Sequence, residues 1–152
     1  MNDKDFLNII AVTPLVSIDL IVKNRAGNVF LGKRVNRPAK GYWFVPGGRI
    51  RKNERLHEGM ERISESELGV TITPDAAKLL GAYEHIYDDN FFGEKGVNTH
   101  YVVLAYECHL DNGVQITLDH QHSEARWWRI EDLLRSSEVH ENTKAYFTDA
   151  GY

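Results

Sequence analysis

The stretch from Gly47 to Val70, GGRIRKNERLHEGMERISESELGV, joins a pair of glycines to a glutamate-rich segment with the pattern of a helix. Glycines let backbone groups come close to a ligand. Leu56, Met60 and Ile63 recur on one helix face, and Glu67 lies one turn beyond Ile63 on that face. Two interpretations stay open: a ligand-binding loop and helix, or an ordinary amphipathic helix whose other glutamates are solvated.

A second candidate stretch is DHQHSEARWW, from Asp119 to Trp128. A histidine, with an ordinary pKa of about 6.5, can accept a proton at neutral pH and act as a general base. The alternative is that His120 and His122 are loop histidines without a task. Gln121, between them, would by itself more often be an exposed polar residue of a loop.

Other charged residues suit the binding of an anion. Arg34, in LGKR, and Arg49, directly after the glycine pair, carry the planar guanidinium that makes paired bonds to phosphate. Asp19 stands in an otherwise apolar strand pattern, where burying an unpaired carboxylate is costly. It belongs either to a site or to a structural salt bridge.

Strand patterns dominate the framework that must position these residues. They predict strands at 15–22, 29–32, 42–45, 101–110 and 125–130, the first two joined as a hairpin by the turn-like KNRAGN. Helices are expected at about 55–68, 131–136 and 142–149, with Gly69 ending the first. Trp127 and Trp128 should point to opposite faces of their strand. We expect one α/β domain with a mixed sheet over residues 1–152.

Composition limits the function classes. The 152 residues are 42% hydrophobic and 26% charged, an ordinary globular profile. The net charge of -4 argues against nucleic acid or an anionic membrane as a partner. The one cysteine, Cys108, is expected to be a small buried side chain in a strand and suits a reducing cytoplasm. No run approaches the roughly 18 apolar residues of a membrane span, and MNDKDFLNII is not typical of a signal peptide.

The spacing of the first stretch resembles the Nudix box, the loop-helix-loop motif of hydrolases of nucleoside-diphosphate-linked compounds. Gly48 is followed after five residues by Glu54 and after seven more by Arg62, and Glu67 and Gly69 follow at the box positions. The resemblance implies a Nudix-type α/β/α sandwich with a mixed β-sheet between helices. It also implies Mg²⁺, with Mn²⁺ as an alternative, bound through helix carboxylates because hard cations prefer oxygen ligands.

Two positions depart from the box. The glutamate that should follow Arg62 is Ile63, and the first of the paired glutamates is Ser66, so that only Glu67 is kept. A site with one helix carboxylate is less able to hold several metal ions or to activate a metal-bound water aimed at phosphorus. One metal ion per site is therefore expected.

Further stretches are similar to one branch of this superfamily, the GDP-mannose mannosyl hydrolases. They are TPLVSIDLIV, RPAKGYWFVPGGR, HIYDDNF, NTHYVVL and DHQHSEARWW. That branch carries the same two replacements in its box. The resemblance implies hydrolysis of GDP-mannose, with GDP-glucose as a second substrate, to GDP and free sugar. Water attacks the anomeric carbon with inversion, and the metal ion neutralises the leaving diphosphate.

The resemblance also implies roles for single residues. The metal ligands are the Gly47 carbonyl, Glu67 and Gln121, with diphosphate and water oxygens in the remaining positions. His122 matches the general base, whereas His120 does not. Arg62 is expected to orient Glu67 or a neighbour.

The remaining matches concern the substrate. Arg34, Arg49 and Tyr101 are expected to reach the diphosphate, and His85 and Asp19 the sugar side, where positive charge develops. An aromatic residue near the guanine corresponds to Phe6. Members of the branch are homodimers, so a homodimer with the N-terminal segment at its interface is expected.

Two other functions stay open. A conventional Nudix pyrophosphohydrolase, giving GMP and sugar 1-phosphate, is favoured by the retained Gly48, Glu54 and Arg62 and disfavoured by the two replacements. A nucleotide-sugar-binding protein without catalysis is disfavoured because the base and both side-chain metal ligands are present together.

Overall fold

A mixed β-sheet forms the centre of the computed structural model, which describes residues 1–110 and 122–148. Within these residues its strands are β1 (Leu15–Lys23), β2 (Val29–Arg34), β3 (Trp43–Phe44), β4 (Gly47–Arg49), β5 (Ala77–Tyr87), β6 (Thr99–His109) and β7 (His122–Trp128). The order is β3-β2-β1-β6-β5, with β4 paired to β1 and β7 to β2. β1 and β6 run parallel, and the other pairs are antiparallel.

Helices cover both faces of this sheet. They are α1 (Asp3–Val12), α2 (Leu56–Leu68), α3 (Ile130–Arg135) and α4 (Glu141–Thr148). Met60 and Ile63 of α2 pack with Ile18 and Leu20 of β1 in one apolar cluster, which we call the α2-side core. The second cluster, the α4-side core, contains Ile21 of β1, Leu133 of α3 and Tyr146 of α4. The predicted α/β/α sandwich is therefore confirmed.

Alternation along the strands explains why both faces are filled. Residues next to each other in a strand point to opposite faces, and β1 is apolar in both directions, as in a strand covered on both sides. Trp127 packs against the α2-side core and Trp128 lies in the α4-side core, as the sequence predicted. Cys108 is buried in β6, also as predicted.

Some boundaries differ from the prediction. The strand expected to reach Ile130 ends at Trp128, because Ile130 is already the first residue of α3. α1, β4 and β5 were not predicted. β5 lies at the sheet edge with much of its length partly exposed, so its sequence lacks clean alternation, and only its pairing with β6 defines it. Among the described residues, no helix is both long and apolar enough to cross a lipid bilayer.

Candidate active site

A cavity of about 280 Å³ is lined by residues of α1, α2 and strands β1 to β6. It brings together nine of the residues singled out in the sequence: Phe6, Asp19, Arg34, Gly47, Arg49, Arg62, Glu67, His85 and Tyr101. Gln121 lies outside the described residues. The backbone of His122 begins β7 and pairs with Arg34 at the end of β2.

The last turn of α2 supplies the carboxylate of the box. Glu67 is buried and lines the cavity, and Gly69 ends the helix in the left-handed conformation with φ of 71°. Ile63 and Ser66 line the same cavity. Ile63 is buried and packs close to Gly48, whereas Ser66 is exposed. Because both residues line the cavity, each replacement removes a carboxylate from the site.

Gly47 brings the backbone of β4 close to β1. It pairs with Asp19, and a Cβ atom built on it would overlap Oδ1 of Asp19 and lie 2.6 Å from the Ile18 carbonyl oxygen. Such a close approach leaves room only for glycine. A backbone group here and the buried Glu67 carboxylate are oxygen donors of the kind that a hard divalent cation prefers. The residues present thus fit the metal ion implied by the resemblance.

Within residues 1–110 and 122–148, no three His, Cys, Asp or Glu side chains form a group able to hold a metal ion. The donor set around Glu67 is consequently poor in protein carboxylates. Backbone and substrate oxygens would have to complete the coordination of any cation bound there.

Arg62 fixes the start of the box to its helix. Its Nε and Nη2 donate to the two carboxylate oxygens of Glu54 at 2.7 and 2.9 Å, and Nη2 also donates to the Arg49 carbonyl at 2.8 Å. The Arg62 hydrogen bond, with the Arg51 backbone N–H, lowers the pKa of Glu54 to about 2. These bonds of Arg62 go to Glu54 and Arg49, so Glu54 is a paired residue of this motif instead of a solvated one.

Asp19 projects from β1 on the same side as Ile21, toward the α4-side core, and lines the cavity as a largely buried side chain. Burial raises the pKa of its carboxyl to about 7, while a hydrogen bond from Tyr146 and the charge of Arg34 oppose the shift. The Tyr146 hydroxyl donates to Oδ2 of Asp19 at 2.5 Å. The sequence had left a structural salt bridge open for Asp19, but the partner in this contact is a neutral hydroxyl.

His85 lies beside this pair. It is buried in β5, and its Nε2 is 3.3 Å from the Tyr146 hydroxyl. Burial, followed by the nearby charge of His140, lowers the pKa of His85 to about 4. His85 is therefore neutral at physiological pH and carries a single ring N–H.

Positive charge dominates the cavity. Among the described residues its lining contains two carboxylates and five arginines. The carboxylates are Asp19 and Glu67, and the arginines are Arg34, Arg37, Arg49, Arg51 and Arg62. Burial raises the pKa of the Tyr101 hydroxyl, whereas Arg34 and Arg49 act to lower it. Tyr101 thus stays a neutral donor next to two guanidinium groups, an arrangement that suits a phosphate-bearing ligand.

Aromatic rings form the outer wall near α1. The Arg49 guanidinium lies 4.6 Å from the centroid of the Phe6 ring, and Phe6 meets Phe92 edge to face at 5.9 Å. Phe91, half-exposed, also lines the cavity. Asn90, fully buried, holds this loop by donating to the carbonyls of residues 94 and 97 at 2.8 and 2.7 Å.

Three of these residues were not found from the sequence. The pair Phe91–Phe92 stands just before a glycine in a polar loop, which is a weak signal that could have been noticed. Tyr146 gave no signal, because it lies in a short predicted helix 127 residues from Asp19. Its role depends on contacts that no local spacing encodes.

Comparison with known proteins places this geometry in a family. Residues 13–150 match the family model of the NUDIX domain. The low-salt glycan biosynthesis protein Agl8 of Haloferax volcanii is 41% identical over 125 residues, which are 82% of this chain and 76% of that protein.

Solved structures show the same fold. A MutT NUDIX hydrolase from Burkholderia pseudomallei has 24% identity and a TM-score of 0.73, with 91% of this chain and 98% of that chain covered. The MutT protein from Methanosarcina mazei Go1 has 20% identity and a TM-score of 0.70, with 88% and 91% covered. At these identities the likeness concerns the fold alone.

Proposed function

Because this chain belongs to the Nudix family, we propose that it hydrolyses GDP-mannose to GDP and free mannose, with GDP-glucose as a second substrate. Family membership makes it a Nudix hydrolase of nucleotide-linked compounds. What we propose beyond family membership is the identity of the sugar, of the nucleobase and of the bond that is broken. Water would attack the anomeric carbon and invert it.

The charge of the cavity carries this proposal. Ile63 and Ser66 line the cavity where the box would place glutamates, so Glu67 is the α2 carboxylate there, facing an arginine-rich wall. Chemistry at phosphorus gains from clustered carboxylates that hold metal ions around an activated water. Chemistry at carbon needs mainly a site that stabilises a departing diphosphate, and cations do this. A relative named for glycan biosynthesis also favours a sugar-linked substrate.

We assign the metal ion to Gly47, Glu67 and Gln121. A single Mg²⁺ ion, or Mn²⁺ in its place, would supply positive charge to the diphosphate when bound. Glu67 is buried at the α2 end of the cavity, and Gly47 adds its backbone from β4.

The remaining residues act on substrate. His122 takes a proton from the attacking water as its oxygen bonds to the anomeric carbon. The bond from that carbon to the β-phosphate oxygen breaks, and its electron pair leaves with GDP. Arg34, Arg49 and the neutral Tyr101 donate to the phosphate oxygens as negative charge grows on them.

The two ends of the substrate are assigned to opposite parts of the cavity. Asp19 and His85 face the sugar, where the carboxylate of Asp19 stabilises positive charge developing on the ring. Phe6 packs against guanine, for which an aromatic face is sufficient. We also propose that two copies of the chain form a homodimer with the N-terminal segment at the interface.

The test is hydrolysis in ¹⁸O-water, followed by mass spectrometry of both products. We expect the label in free mannose, and NMR should show the β anomer first, because the α-linked substrate is inverted. Label in GDP, or products GMP and mannose 1-phosphate, would contradict the proposal and favour a conventional pyrophosphohydrolase. A panel of GDP- and UDP-linked sugars in the same assay defines which nucleobase and which sugar the enzyme prefers.

A further inference from the structure

Tyr146 reaches the candidate active site from the far end of the chain. It lies in α4 with its whole side chain buried, and its ring meets Tyr83 edge to face at 4.7 Å in the α4-side core. Its hydroxyl, by contrast, leaves that core and contacts Asp19 and His85. The ring therefore packs in the core, whereas the hydroxyl contacts residues of the site.

The hydroxyl has one hydrogen, and the contacts indicate where it goes. When Asp19 is ionised both of its oxygens are acceptors, so Tyr146 donates to Oδ2 at 2.5 Å, a short distance typical of O–H to carboxylate bonds. The hydroxyl oxygen stays able to accept from Nε2 of His85 at 3.3 Å. The chain of donors then runs from His85 through Tyr146 to Asp19.

These hydrogen bonds fix the orientation of the Asp19 carboxyl group. Oδ2 is held by Tyr146, while Oδ1 lies against Gly47 at the cavity, where a Cβ on residue 47 would overlap it. Rotation of the carboxyl group is restricted because one oxygen is hydrogen-bonded and the other is packed against backbone. The hydrogen bond to Oδ2 thereby keeps Oδ1 in place beside Gly47, and both Asp19 and Gly47 line the cavity.

We propose that Tyr146 is a positioning residue of the hydrolase: its hydroxyl orients Asp19 and His85 and so couples α4 to the sugar end of the site. The inference rests on the proposed function in assigning Asp19 and His85 to the sugar. Tyr146 itself does not touch substrate. Its loss should therefore slow the reaction without weakening the binding of the nucleotide.

Tyr146→Phe removes the hydroxyl and keeps the ring. We expect kcat for GDP-mannose to fall about 10- to 100-fold, because small misplacements of reacting groups cost up to this much, while KM stays within about twofold. Tyr106→Phe is the matched control, since Tyr106 is also buried but belongs to the α2-side core. It should leave kcat unchanged. Tyr146→Phe should lower Tm by a few degrees, because Asp19 loses a hydrogen-bond donor, so kinetics are measured well below Tm.

A double-mutant cycle separates positioning from stability. If the hydroxyl acts through Asp19, Tyr146→Phe should add little to the kcat loss of Asp19→Asn. Fully additive losses, or a kcat of Tyr146→Phe within about twofold of the unmodified enzyme, would overturn the proposal.

A readout without turnover separates this inference from the proposed function. In protein labelled with ¹⁵N-histidine, His85 should carry its ring hydrogen on Nε2, and Tyr146→Phe should change that signal, which His85→Gln identifies. If the unmodified enzyme releases no free mannose but this signal behaves as expected, the proposed function is wrong and the positioning role stands. A signal that Tyr146→Phe leaves unchanged overturns the positioning role even if mannose is released.

Discussion

Single residues set the chemistry that this site can support. At three neighbouring positions on α2, an isoleucine, a serine and a glutamate face one cavity, and only the last, Glu67, carries charge. Ile63 and Ser66 stand where the box has glutamates, and both line the cavity. The site therefore lacks two negative charges that the box would provide. Substitution of Glu67 or His122 therefore tests the proposed mechanism most directly.

Glu67→Gln should abolish most Mg²⁺-dependent turnover and leave the fold intact. Glutamine keeps the shape of the buried side chain but loses the negative charge, and a metal ion contributes several kcal/mol, so a loss of roughly 10²-fold or more is expected. Steady-state kinetics and Mn²⁺ binding by EPR measure the effect. Glu65→Gln, exposed on the same helix, is the control and should behave like the unmodified enzyme. Full turnover of Glu67→Gln and of EDTA-treated protein would exclude the metal role.

His122→Gln should lower kcat by about 10²- to 10⁴-fold near neutral pH, the usual cost of losing a general base. It should also flatten the acidic limb of the pH profile, because a histidine base loses activity when it is protonated. The comparison variant is His120→Gln, two residues away, which should keep kcat. A near-normal kcat for His122→Gln, with a loss for His120→Gln, would move the base to His120.

At the scale of elements, the loop before α2 and the helix itself are held together by one ion pair. Arg62 binds both carboxylate oxygens of Glu54 and the Arg49 carbonyl, so the middle of α2 is tied to the end of β4. This tie sets where Gly47 and Glu67 stand relative to each other. The box arginine thus acts on the geometry of the loop and the helix.

Glu54→Gln should destabilise the protein at neutral pH. The pair is partly exposed, so about 1 kcal/mol is a reasonable loss, which corresponds to a fall in Tm of about 2–4 °C for a chain of this size. Thermal unfolding followed by circular dichroism measures it, with Glu65→Gln as the control that should leave Tm unchanged.

The same variant gives a pH test. The folded-state pKa of Glu54 is lowered from 4.5 to about 2, so the unfolded state binds more protons between these values. The stability from the pair is complete above 4.5 and is lost as pH falls toward 2. The difference in free energy of unfolding between the unmodified protein and Glu54→Gln should shrink over this window. A difference that stays constant down to the lower value would argue against the ion pair as its source.

At the scale of the whole molecule, two apolar cores on opposite faces of one sheet bring the site's two halves together. Glu67 belongs to a helix on one face, whereas Asp19 contacts α4 on the other. The site therefore forms at the end of the sheet, where side chains of both faces meet. Its assembly depends on correct packing of both helical layers.

The proposed homodimer is tested at this scale. Sedimentation equilibrium should give twice the mass of one chain. Val12, at the end of α1, is 72% exposed, and Val12→Asp should weaken association if the N-terminal segment forms the interface, because a charge is then buried. Leu79→Asp, on the exposed side of β5, is the control and should not. A single-chain mass for the unmodified protein would contradict the dimer.

The sequence by itself determined the local elements with strong periodicity and the family. β1, β6, α2 and the glycine that ends α2 were predicted because their apolar spacing and turn residues act within a few positions. The box spacing is equally local, and it identified Gly48, Glu54, Arg62, Glu67 and the two replacements. β5 escaped prediction because its apolar residues do not alternate cleanly, and its pairing with β6 defines it. α1 was missed although Phe6, Ile9 and Ile10 recur at helical spacing.

Only the tertiary structure decided which side chains share the cavity and what their charges do there. Asp19, His85 and Tyr146 are 61 to 127 residues apart in the sequence, yet the Tyr146 hydroxyl contacts both Asp19 and His85. From the sequence, Asp19 could form a salt bridge and Glu54 could be solvated. In the structure Asp19 accepts a hydrogen bond from Tyr146, and Glu54 pairs with Arg62. Contacts of this kind follow from how sheet and helices pack, and burial then shifts the pKa values, so no local pattern of residues can predict them.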